Sequence, residues 1–123
     1  MLSLEVALLC LSLNIYFEAR GEPDKAQLAV ALVTVNRAKR YGKNICEVVF
    51  EPNQFSWTND KIHKEPNIKS KAWEKAQRIA RQSLTAKDFT HGALWFHRED
   101  VYPKWRLKLK FVGKYGRHLF YKR

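Results

Sequence analysis

The first fifteen residues constrain this chain more than any other stretch. Leu2, Val6, Leu9 and Leu13 recur at helical spacing, and Leu4, Leu8, Leu11 and Ile15 widen the apolar face until little polar surface is left. A helix that is apolar on most sides has to be covered, so the run predicts a central, buried first helix. It does not read as a signal peptide: Glu5 interrupts it, no basic start precedes it, and no small-residue cleavage site stands before Asn14. It is also too short and too interrupted to span a bilayer. Gly21 predicts its end near Arg20.

Pro23 suits the first turn of a second helix, with Glu22 and Asp24 near its positive end. Leu28, Leu32 and Val35 form its stripe, which predicts a helix to about Ala38 and a turn at Tyr41–Asn44. The stretch from Cys46 to Pro66 reads as mostly irregular, broken by Pro52, Asn53, Asn59, Asp60 and Pro66. Ser70 is a good N-cap for a third helix carrying Trp73, Ala76, Ala80 and Leu84. Ala93–His97 then reads as a short strand. Leu107, Leu109 and Phe111 alternate with Lys108 and Lys110 as in a half-buried strand, Gly113–Gly116 reads as a turn, and Arg117–Tyr121 as the partner strand. Three helices followed by a small antiparallel sheet make a single α+β domain over residues 1–123.

Charge narrows the partners without choosing one. The formal net charge is +11, and from Val101 onward there are eight basic residues and no acidic side chain. That balance suits nucleic acid, an anionic membrane or an acidic wall polymer, and equally a solvated surface. Cys10 and Cys46 belong to no CxxC-type motif and read as buried free thiols, with a disulfide left open because sequence gives no distance. The four histidines, His63, His91, His97 and His118, form no compact metal-ligand pair, so no metal site or cofactor is expected.

The segment Asn14–Pro23 (NIYFEARGEP) places Glu18 at the end of a very apolar helix. Desolvation there raises a carboxyl pKa, and a glutamate protonated near neutrality can donate a proton to a glycosidic oxygen. The plainer alternative is a surface ion pair with Arg20 or Arg37. Glu22 is the candidate second carboxylate, or simply a stabiliser of the second helix. Gln54-Phe55-Ser56-Trp57 puts aromatic groups on a loop, where they either pin it to the core or stack on sugar rings while Gln54 and Ser56 bind hydroxyl and amide groups. Trp95-Phe96-His97, Tyr102–Trp105 and His118 beside Phe120 and Tyr121 form further aromatic groups that could line a groove.

These pieces together resemble the SleB/CwlJ-type cell-wall hydrolase family of spore-cortex-lytic enzymes. The matching segments are NIYFEARGEP, Gln27–Arg37 (QLAVALVTVNR), Cys46–Val49 (CEVV), Pro52–Trp57 (PNQFSW), Gly92–His97 (GALWFH), Pro103 with Trp105, and Gly116–Tyr121 (GRHLFY), in the family's order. The resemblance implies a compact lysozyme-like domain acting on peptidoglycan glycan strands as a lytic transglycosylase, with Glu18 as its catalytic residue. It implies that Glu18 protonates the oxygen between N-acetylmuramic acid and N-acetylglucosamine, then as carboxylate takes a proton from the muramic C6 hydroxyl, which attacks C1. Tyr16, Glu22, Gln54, Phe55, Ser56, Trp57, Phe96, His97, Trp105 and His118 are the candidate substrate contacts.

Without a secretion signal or a wall-binding repeat, the expectation is a lysis enzyme of the endolysin kind, made in the cytoplasm and released onto the wall. The competing expectations are a hydrolytic muramidase using Glu22, a zinc-dependent amidase, and, from another class, a basic nucleic-acid-binding module. Nucleic acid is not the expected partner; a weak anionic surface contact through the basic C-terminal region is left open.

Overall fold

A computed structural model describes residues 2–52, 54–58 and 65–123. Asn53, Asn59, Asp60 and His63, used above as breakers or candidate ligands, lie outside the described residues. The order is α1 (Leu4–Ala19), α2 (Asp24–Tyr41), α3 (Ile45–Val49), α4 (Lys71–Ser83), β1 (Trp95–Arg98), β2 (Lys110–Tyr115) and β3 (His118–Lys122). The expected α+β architecture is present, with short α3 as a fourth helix in the stretch read as irregular. Its signal is a capping box: Asn44 accepts from the Glu47 N–H and Glu47 accepts from the Asn44 N–H.

The central helix is α2, not α1. It buries eleven of its eighteen residues, whereas Leu4, Val6 and Leu9 of α1 stay exposed. On one side of α2, Leu28, Leu32 and Val35 pack against Leu11 and Ile15 of α1 and Trp73, Ile79 and Ala80 of α4. On the other side, Ala29, Val30 and Val33 meet Ala19 at the end of α1, Ala93 before β1 and Phe120 of β3. Apolar residues on both flanks, small or β-branched on the sheet side, let α2 be approached from two directions. Among the described residues, no helix is long and apolar enough to cross a membrane.

Helix ends follow the predicted chemistry. Ser70 caps α4 by accepting from the Trp73 N–H. Gly42, at φ 63°, ends α2 one turn later than expected, and its left-handed conformation turns the Lys43 N–H back onto the Ala38 carbonyl at 3.0 Å.

Cys10 and Cys46 are not free. They form a disulfide between α1 and α3, with Cα atoms 5.3 Å apart and a sequence separation of 36. α3 forms where irregular chain was expected, and its packing on α1 supplies the proximity that sequence could not.

The sheet order is β1-β3-β2, all antiparallel. The strand expected from Leu107 starts only at Lys110, because Lys104–Lys108 coil into a 3₁₀ turn that leaves Leu107 exposed. A bulge between Phe111 and Gly113 then breaks the two-residue period, so Val112 reaches the core and Phe111 does not. The hairpin turn lies at Gly116–Arg117, later than the expected Gly113–Gly116. Gly116 has φ 56°, and a Cβ there would stand 2.8 Å from Ala26 Cβ and 3.0 Å from Glu22 Oε1. This glycine therefore lets the hairpin tip press onto the start of α2.

Candidate active site

Glu18 lies in the last turn of α1, half-buried at the edge of a cleft of about 410 Å³. One wall is the loop Gln54-Phe55-Ser56; the other is Leu94–Arg98, with Trp105 closing the far side and Val33 of α2 below. Among the described residues, Glu18 is the one acid lining this cleft. Neither Arg20 nor Arg37 pairs with it: Arg20 donates to the Tyr16 hydroxyl and lies over the Tyr16 ring, and Arg37 donates to the Leu94 carbonyl and to Gln54.

Burial pushes the Glu18 carboxyl up to about 7, against the opposing pull of the Arg98 guanidinium. The last-turn carbonyls of α1, with no basic side chain among them, also disfavour a negative charge there. Glu18 is thus poised between acid and base near neutrality, as a group that must first give and then take a proton requires.

The cleft walls are held from behind. Arg37, buried at the end of α2's apolar face, donates to the Leu94 carbonyl at 2.9 Å and to Gln54 Oε1 at 2.9 Å, and lies 3.5 Å from Glu51 Oε2. His97 is fixed at both ring nitrogens, 2.9 Å from the Tyr121 hydroxyl and 2.7 Å from the Arg98 carbonyl oxygen, and stacks on Tyr121 with Trp105 edge-on. Phe96 leans on Phe55 across the cleft and on Phe120 below.

Of the predicted contacts, Gln54, Phe55, Ser56, Phe96, His97 and Trp105 line the cleft with Glu18. Tyr16 does not: it is buried, accepting from Arg20 and from the Asn67 N–H, with Trp73 edge-on. Trp57 is pinned to the core, donating to Asn14 Oδ1 at 3.0 Å and stacking on Phe17. Glu22 and His118 lie in a neighbouring pocket of about 280 Å³ that shares Glu18 and Arg98 with the cleft. There Glu22 Oε1 accepts the Arg117 N–H at 2.7 Å and stands 3.3 Å from His118 Nδ1. Burial lowers the His118 pKa despite Glu22, leaving the imidazole neutral near pH 7. Arg37, Arg98 and Tyr121 were not anticipated in these roles. The signal for Arg37 was present, a lone arginine closing an otherwise apolar helical face.

Among the described residues, no group of three His, Cys, Asp or Glu side chains is close enough together to hold a metal ion.

Known proteins resemble this chain in sequence and fold. The chain is similar to the spore cortex-lytic enzyme of Bacillus cereus, 32% identical over 112 residues, covering 88% of this chain and 41% of the relative. Its similarity to the spore cortex-lytic enzyme of Bacillus subtilis is 29% over 110 residues, covering 86% and 34%. The chain therefore spans less than half the length of these relatives. Among solved structures, the catalytic domain of the germination-specific lytic transglycosylase SleB from Bacillus anthracis matches with a TM-score of 0.80 and 29% identity, over 98% of this chain and 97% of that one. The catalytic domain of Bacillus cereus SleB matches with a TM-score of 0.80 and 30% identity, over 96% and 91%. The model of the family described as Cell Wall Hydrolase matches residues 21–121, beginning just after Glu18. By that match and these likenesses, the chain belongs to the cell-wall hydrolase family.

Proposed function

We propose that this protein cleaves the glycan strands of peptidoglycan as a lytic transglycosylase, with Glu18 as acid and then base. The observation that carries the reading is a half-buried Glu18, with a pKa of about 7, as the one acid among the described residues lining an aromatic-walled cleft. The protonated carboxyl gives its proton to the oxygen linking N-acetylmuramic acid to N-acetylglucosamine. The C1–O bond breaks, and the N-acetylglucosamine end leaves with that proton. The Glu18 carboxylate then takes the proton of the muramic C6 hydroxyl as its oxygen bonds to C1, closing a 1,6-anhydro ring and restoring the acid. No water is consumed, so one carboxyl group suffices where hydrolysis usually employs two. The germination-specific lytic transglycosylase that shares this fold supports the same chemistry.

The physiological role we attach to it is that of a lysis enzyme of the endolysin kind. The Cys10–Cys46 disulfide supports action in an oxidising compartment. Export of the protein without a pore-forming partner would count against this role.

The test of the chemistry is digestion of purified peptidoglycan, followed by mass spectrometry of the new glycan ends. Anhydromuramic ends that resist borohydride reduction are expected. Reducible muramic ends would mean hydrolysis, with Glu22 the first second carboxylate to examine. Intact glycan with released peptides would refute the glycosidic reading.

A further inference from the structure

At the Leu94 end of the cleft the surface turns from aromatic to cationic. Leu94 lines both the cleft and a separate groove of about 440 Å³. Lys39 and Arg40 enter that groove from the last turn of α2, and Lys122 and Arg123 from the end of β3. No acidic side chain lines it. Among the described residues, no carboxylate pairs with any of these four cations.

Other cations nearby do have a carboxylate partner: Arg98 of the cleft pairs with Asp100, and beyond it Lys114 and Arg117 share Glu99. Asp88 keeps its charge behind the groove, held by Asn36, Thr90 and the Gly92 N–H, but pairs with none of the four cations. The helix C-terminus favours cations and accounts for Lys39 and Arg40 in part. It does not account for two more cations converging on the same groove from a different element. Like charges gathered with no carboxylate paired to any of them repel one another, and an anion placed among them relieves that repulsion. Arg123 also lies over the Trp95 ring, 5.8 Å from its centroid, and Trp95 lines the cleft, so groove and cleft share a wall.

We infer that the groove formed by Lys39, Arg40, Lys122 and Arg123 binds carboxylates of the peptide stems carried by the glycan strand lying in the adjoining cleft. The inference rests on the proposed action on peptidoglycan. Stem carboxylates are attached to the same polymer that the cleft would hold, so occupancy of the cleft delivers them to the groove at high effective concentration. The groove would then select strands whose stems are charged over strands whose stems are neutral.

The experiment compares glycan strands bearing intact stems with the same strands after their carboxylates are converted to amides with carbodiimide and ammonia. The wild-type protein is expected to show kcat/KM about tenfold higher on the charged strands, through KM, at low salt. In the triple variant Lys39→Ala, Arg40→Ala, Lys122→Ala that ratio should fall close to one, with circular dichroism confirming the fold. A ratio that survives in the variant, or a wild type that never discriminates, overturns the inference. So does a preference that disappears when wall-polymer phosphates, rather than stem carboxylates, are removed. A wild type that cuts both strands equally refutes only the groove. One that cuts neither refutes the proposed function and the groove with it.

Discussion

Glu22 Oε1 accepts the main-chain N–H of Arg117 at 2.7 Å, across 95 residues of sequence. The bond ties the α1–α2 turn to the tip of the β2–β3 hairpin, where Gly116 allows the close approach. Glu22→Ala is expected to cost about 1–2 kcal/mol, since an exposed main-chain donor and the neighbouring His118 both lose a charged partner. Glu22→Gln keeps an oxygen acceptor and should cost less than about 1 kcal/mol. Urea denaturation measures both. If Glu22 also activated water, Glu22→Gln would abolish cleavage while remaining folded; the single-acid scheme expects it to retain most of its activity.

Glu18→Gln separates catalysis from stability. Loss of the acid should reduce cleavage by about 10³-fold or more. The folded pKa of about 7 stands above the ordinary value of 4.5, so the protonated carboxyl contributes stability in full below pH 4.5, and that contribution is lost as pH rises through 7. A glutamine escapes the loss. The variant should therefore melt several degrees above wild type at pH 8, and the gap should shrink toward pH 4.5, as thermal unfolding across pH will show. A gap that widens toward acid would mean that Glu18 is not held protonated by burial.

Arg98 opposes the burial of Glu18. Arg98→Met removes that cation and leaves its partner Asp100 unpaired, and both changes favour the protonated carboxyl. The alkaline limb of the pH–rate profile should move to higher pH. Movement to lower pH, or none, would show that another group sets that limb.

Reduction of Cys10–Cys46 frees a 36-residue loop, and loops of that size are usually worth about 2–4 kcal/mol. Melting in the presence and absence of reductant should show a matching fall in Tm. The double variant Cys10→Ala, Cys46→Ala should behave like the reduced protein and no longer respond to reductant.

The desolvation of Glu18 at a helix end, the Ser70 cap and the Gly21 break were legible because each depends on its immediate neighbours. The misreadings share a different cause. Trp57 and Trp105 both sit in short 3₁₀ turns, yet Trp57 finds Asn14 and Phe17 on α1 while Trp105 finds His97 and Tyr121 at the cleft. Nothing local distinguishes them. Leu107 kept the right alternation, but a 3₁₀ turn and a bulge consumed the period before the strand began. The disulfide and the Arg98 effect depend on distances between elements that periodicity does not contain.

Arg37 gathers three segments far apart in sequence: Leu94 at the entry to β1, Gln54 on the loop, and Glu51 after α3. Because one planar cation serves all three, the opposing sides of the cleft cannot drift independently. Widening one side strains the bonds to the other, and the spacing between them is inherited from a side chain that lines neither. The width of the opening is therefore a property of the interior of α2, and a change at Arg37 would be felt as altered fit by a ligand it never meets.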